Sequence, residues 1–208
     1  MKPQLLIVTL LVIPAVTPAC RAAIVYSSQQ DIPIPLDPEG EYLRLDTGAV
    51  AGALPANWAT APWINPFFGG VDIANSPLLR PVIAGTDQIL NLAPGTLIGS
   101  GSNFVAGESG SSTHFGLGSG QFALNVPGYL GVTFRSTVGG PDYYGWIEMQ
   151  ISNVGAGKII SWAYENVSAA PIVAGDTRIA PEPGVLALLG IGLLGFGRRL
   201  RGAHRHRA

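Results

Sequence analysis

The chain is poor in the side chains that carry covalent, redox or metal chemistry. Its 208 residues include one cysteine, Cys20, and three histidines. A lone Cys near the start excludes a disulfide framework or a Cys-based zinc site in the rest of the chain. Of the histidines, only His114 lies in the body, and its Ser-Ser-Thr-His-Phe-Gly setting suits a solvated loop better than a catalytic base. No Gly-x-Ser-x-Gly elbow occurs. Charged residues make up only 12%, and lysine is limited to Lys2 and Lys158. Residues 23–183 hold five basic residues (Arg44, Arg80, Arg135, Lys158, Arg178) against all 13 acidic ones. So acidic a body argues against nucleic acid, which needs a basic surface.

What is present sits first at the two ends. Lys2 supplies a positive start, and residues 5–13 (LLIVTLLVI) form an apolar run too short to span a bilayer comfortably. Pro14 and Pro18 break the helix, and small residues follow. This pattern predicts a secretory signal peptide over 1–22, with cleavage after Ala22 placing Cys20 and Ala22 at the −3 and −1 positions. Lipoprotein processing at Cys20 is a rival, weakened by the awkward Pro18 ahead of it. A buried N-terminal helix is the bland alternative.

At the other end, Pro181, Glu182 and Pro183 precede fourteen residues, 184–197, without a polar side chain. Arg198, Arg199 and Arg201 follow. As a helix the run would reach ~21 Å against a hydrocarbon core of ~30 Å. It has no polar face, as a core helix at a chain end should have, and its five glycines are better tolerated in lipid than in a water-soluble helix. The arginines fit an orientation with the C-terminus in the cytoplasm. The two prolines would hold the preceding stretch extended and accessible. A hydrophobic C-terminal core helix is the bland alternative.

In these three parts, in this order, the chain resembles the PEP-CTERM sorting signal. The resemblance covers 181–208 and implies recognition by an exosortase, a membrane-embedded Cys-dependent enzyme of Gram-negative bacteria that make exopolysaccharide. Glu182 is then a recognition residue rather than a catalyst.

Between the ends, Gly (28) and Pro (17) are spread along the chain and favour short strands and turns. Residues 129–135 place Leu130, Val132 and Phe134 on one face, and 143–151 place Ile147, Met149 and Ile151 on one face with Trp146, Glu148 and Gln150 opposite. Residues 158–164 alternate less cleanly. Such period-2 patterns mark strands with one buried face. Further strands are expected at 24–27, 42–46, 70–73, 88–92 and 121–126, and long loops at 47–66 and 99–120. The fold class expected is all-β, an antiparallel β-sandwich or jelly roll over 23–178, flanked by the signal peptide and by a sorting segment, 179–208, with a single transmembrane helix. Tyr144-Gly145-Trp146, Ala163-Tyr164-Glu165 and Ala174-Gly175 are similar to a group of PEP-CTERM ectodomains. That likeness supports a fold and no activity.

Candidate chemistry in the body is sparse. Glu148 and Glu165 fall on adjacent expected strands and could pair as glycosidase carboxylates, though solvent-facing roles fit them as well. Asp31, Asp37, Glu39 and Glu41 could gather around Ca²⁺, but a solvated surface is the plainer reading, and no metal or cofactor is expected. Tyr129, Tyr144, Trp146 and Trp162 are candidate ligand-facing aromatics for sugar stacking, with core packing the alternative. Asn166-Val167-Ser168 matches a glycosylation sequon. The sequence thus predicts a non-enzymatic exported protein of the cell envelope or extracellular matrix. Its partners would be signal peptidase and the general secretion machinery, the inner membrane, an exosortase and exopolysaccharide. A lectin-like module and a carboxylate hydrolase are the alternatives.

Overall fold

In a computed structural model of the chain, residues 23–85, 88–107 and 120–178 are described below. All belong to the unit Arg21–Ala180. Residues 1–22 and 179–208, where the signal peptide and the sorting segment are expected, and His114 lie outside the described residues. Among the described residues no helix is long and apolar enough to cross a membrane. They hold strands and two single-turn 3₁₀ helices, Trp58–Thr60 and Phe68–Gly70.

The first strands are β1 (Ile24–Tyr26), β2 (Ile32–Ile34), β3 (Tyr42–Arg44), β4 (Ala49–Ala51), β5 (Trp63–Phe67) and β6 (Asp72–Asn75). Five short ones follow: β7 (Leu79–Pro81), β8 (Ile83–Ala84), β9 (Gln88–Ile89), β10 (Asn91–Leu92) and β11 (Leu97–Ile98). The long strands are β12 (Pro127–Phe134), β13 (Tyr143–Gln150) and β14 (Gly157–Glu165), and β15 (Ile172–Val173) closes the series. Every pairing is antiparallel.

The seven-stranded sheet runs β1-β14-β13-β12-β10, with β2 also on β14 and β7 also on β12. Each outer edge of the three long strands is therefore lined by two short segments. A four-stranded sheet runs β4-β3-β5-β6, and β11–β15 and β8–β9 form two-stranded ribbons.

The long strands form because their apolar side chains alternate with the pleat. Leu130 lies opposite Ile147, and Ile147 opposite Trp162. These side chains share one buried cluster with Leu43, Ile64 and Ile73 of the four-stranded sheet. The expected single buried face is only half of what forms. On the other face Tyr144, Trp146 and Ala163 make a second cluster with Val82, Leu92, Ile98, Ile172 and Ala174. Gly131 permits that cover, because a Cβ there would lie 2.6 Å from Leu92 Cδ1 and 2.9 Å from Val82 Cγ2.

Some expected boundaries shift. The expected loop 47–66 contains β4 and most of β5. Residues 121–126 form no strand: Phe122 makes only a bridge, and the chain turns at Asn125, which sits at φ 61°. The expected strand at 70–73 begins instead at Asp72, after the 3₁₀ turn Phe68–Gly70.

Candidate functional site

The functional signals of this chain sit at its ends, so the parts of the fold that lead to those ends form the candidate site. After β14 the chain turns at residues 166–170 and returns as β15, paired with β11 through Leu97 opposite Val173 and Ile98 opposite Ile172. Ile172 and Ala174 are both 2% exposed. The Ala174 N–H donates to Thr96 O (2.9 Å), and the Gly95 N–H donates to Ala174 O (3.0 Å). The chain then bends at Gly175, whose φ of +81° and whose hypothetical Cβ, 3.2 Å from the Tyr129 ring, both select glycine. The Trp146 indole N–H donates to Asp176 O at 3.2 Å. Arg178 closes onto the Asp176 carboxylate through its backbone N–H (3.0 Å) and its guanidinium (2.7 Å). That guanidinium holds the Asp176 carboxyl below its ordinary range. Residues 171–178 are thus a strap across the aromatic face of the sheet, and the described fold ends at Arg178.

This strap decides the fate of the candidate aromatics. Trp146 is 1% exposed and Tyr144 6%, and both lie under the strap and the 82–104 segment. Tyr129 meets Trp146 edge-to-face at 5.5 Å, and Tyr26 lies 6.0 Å from the same indole. Burial, then the nearby Glu148 carboxylate, pushes the Tyr129 phenol up. Trp162 is 7% exposed but faces the other core, beneath Gly48. Three of the four rings are therefore interior, and the four do not form one platform.

The candidate carboxylates are also kept apart. Glu148 lies opposite Ser161 and accepts its hydroxyl hydrogen bond at 2.9 Å. Glu165 is four positions further along β14, a strand distance of ~13 Å. Glycosidase pairs stand roughly 5–9.5 Å apart. Glu165, 4% exposed, instead accepts from the backbone N–H groups of Ala23 (2.9 Å) and Val167 (3.1 Å). Two of the acidic residues near β2 have separate partners. Asp31 pairs with Lys158 at 2.9 Å, which lowers its pKa, and Asp37 accepts from the Gly40 N–H at 2.9 Å. Among the described residues no group of three or more His, Cys, Asp or Glu is placed to hold a metal ion.

Sequence reading overlooked one feature, a cavity of about 140 Å³ bounded by Arg80, Arg135, Asp142 and Phe134. Arg135 is held to Asp142 at 2.7 Å, while Arg80 stands 3.8 Å from the same carboxylate. No motif marks it, because Arg80 reaches Arg135 and Asp142 only through the β7–β12 pairing.

Pro181, Glu182, Pro183, Arg198, Arg199 and Arg201 lie outside the described residues. Comparison with curated proteins and with solved structures finds no match. Comparison with protein families finds one, over residues 180–201, beginning just beyond Arg178. The chain carries a PEP-CTERM protein-sorting motif, the mark of an exported protein sorted by an exosortase.

Proposed function

We propose that this protein is a non-enzymatic component of the cell surface or extracellular matrix, associated with exopolysaccharide. In this reading signal peptidase removes residues 1–22 during export. The apolar 184–197 run then holds the chain in the inner membrane, with the arginine-rich terminus cytoplasmic. An exosortase acts at 181–183, and the 23–178 body, a β-sandwich of the seven- and four-stranded sheets, is what reaches its destination.

The observation that carries the reading is the sorting motif at 180–201. Two features of the body support it. The strap is tied to the sheet as far as Asp176, whose carbonyl accepts from the Trp146 indole, four residues before the motif begins. The candidate catalytic groups are occupied in local hydrogen bonds or separated by the strand register.

The test is deletion of the gene in the native host, with envelope integrity and exopolysaccharide retention measured. A matrix role predicts loss of one or both, restored by the intact gene but not by one lacking residues 181–208. Unchanged envelope and polysaccharide would remove the matrix role and leave only the sorting.

A further inference from the structure

The strongest unexplained group in the fold is the carboxylate of Glu165. It is 4% exposed, yet among the described residues no Lys, Arg or His lies within ion-pair distance of it. A carboxylate buried without a cation is costly. Its nearest donor is the backbone nitrogen of Ala23, 2.9 Å from Oε1. The same nitrogen lies 3.1 Å from Asn166 Oδ1. An amide nitrogen has one proton to share between these two acceptors. An α-ammonium has three, enough for both and for water.

Ala23 is also fixed in place. The Asn166 N–H donates to Ala23 O at 3.1 Å, and the next residue, Ile24, pairs with Glu165 in the sheet. Residue 23 is where cleavage after Ala22 would leave the new amino terminus.

We propose that signal-peptide removal creates an N-terminal ammonium at Ala23 that docks on Glu165 and Asn166 and completes the fold with a partly buried ion pair. The inference rests on the export reading above, because the ammonium exists only if the chain is cut between Ala22 and Ala23. Hydrolysis of that peptide bond by water yields a carboxylate on Ala22 and the amine on Ala23, which is protonated at neutral pH. Cleavage before β1 pairs with β14 would leave the terminus free to enter the sheet. The pair then favours the processed chain over the precursor in reaching a stable fold.

The test compares chains 23–208 in detergent with a free or an N-acetylated Ala23, in wild-type and Glu165→Gln backgrounds. Acetylation should lower the melting temperature by about 5 °C or more in wild type. It should do little in Glu165→Gln, where the charge partner is gone. Should Glu165→Gln fail to fold, the amino pKa of ¹⁵N-labelled Ala23 in wild type replaces it. Docking raises that pKa above the ordinary α-amino range of about 7.7–8.0. Equal melting of the free and acetylated chains, an undiminished difference in Glu165→Gln, or an ordinary amino pKa would each overturn the docking and leave the export reading intact. A native protein starting at another residue would overturn the docking alone, and one still carrying residues 1–22 would overturn both.

Discussion

The two faces of the central β12-β13-β14 layer are covered by different means. One face is largely aliphatic, with Phe134 and Trp162 among its side chains. Leu130, Val132, Ile147, Met149 and Ile159 meet side chains from the four-stranded sheet. The other is aromatic. Tyr144 and Trp146 are covered by the 82–104 segment and by the C-terminal strap. The first face is covered in large part by the four-stranded sheet, whose backbone ladder ties that cover together. The second is covered by two-residue strands, turns and one indole hydrogen bond. Irregular cover of this kind opens more easily than a ladder. The face that leads to the sorting motif is therefore the one whose cover is expected to open first.

The largest effect expected from this comparison is at Trp146. Trp146→Ala removes a fully buried ring, its contact with Tyr129 and the donor to Asp176, and should cost about 3–5 kcal/mol in a urea melt. A loss below about 1 kcal/mol would mean that the strap does not cover the ring. On the aliphatic face, Ile147→Ala should cost about 2–5 kcal/mol. Hydrogen exchange then separates the faces. Trp146→Phe should speed exchange at the Gly95, Ala174 and Asp176 amides, and Ile147→Val should not. Equal acceleration in both variants would break the distinction.

A smaller effect is expected at the bend. Gly175→Ala places a Cβ at positive φ and against the Tyr129 ring, and should cost roughly 1–2 kcal/mol, with enhanced exchange confined to the strap. No change in stability would show that the bend relaxes freely. The smallest effect is that of pH. Arg178 depresses the folded-state pKa of Asp176, so the unfolded chain binds the proton more readily. That contribution is present above the ordinary carboxylate pKa and is lost as pH falls through the depressed one. Asp176→Asn should flatten this part of the acid limb in a series of melts. An unchanged acid limb would place the strap's pH response elsewhere.

How far the fold was legible depended on the length of each strand. The three long strands were expected at 129–135, 143–151 and 158–164, and form at Pro127–Phe134, Tyr143–Gln150 and Gly157–Glu165. Their period is intrinsic to the chain. The unclean alternation of the third also has a cause. The register shifts between Glu148 and Met149, leaving Ile160 as an extra residue, so Ile159 and Trp162 face the same core. The missed strands are short and depend on their neighbours. Pro33 hides β2, yet it is tolerated because β2 lines an edge of the sheet. Pro66 likewise hides β5, although its carbonyl still accepts from the Glu41 N–H at 3.0 Å.

The aromatic residues were visible but their surroundings were not. Alternation places Trp146 opposite Ile147, and only the distant 82–104 and 171–178 segments make that second face interior. The sorting motif was legible because it is contiguous, and its signal requires no tertiary context. The Ala23–Glu165 approach was not, since it joins residues 142 positions apart.

The most direct test of the central claim, an exported body with a processed segment at each end, is the intact mass of the protein recovered from the native envelope and medium. The expected mass is that of a chain starting at Ala23 and ending between Pro181 and Pro183. A mass still including residues 184–208 in the finished protein would contradict it and make that segment a permanent part of the molecule.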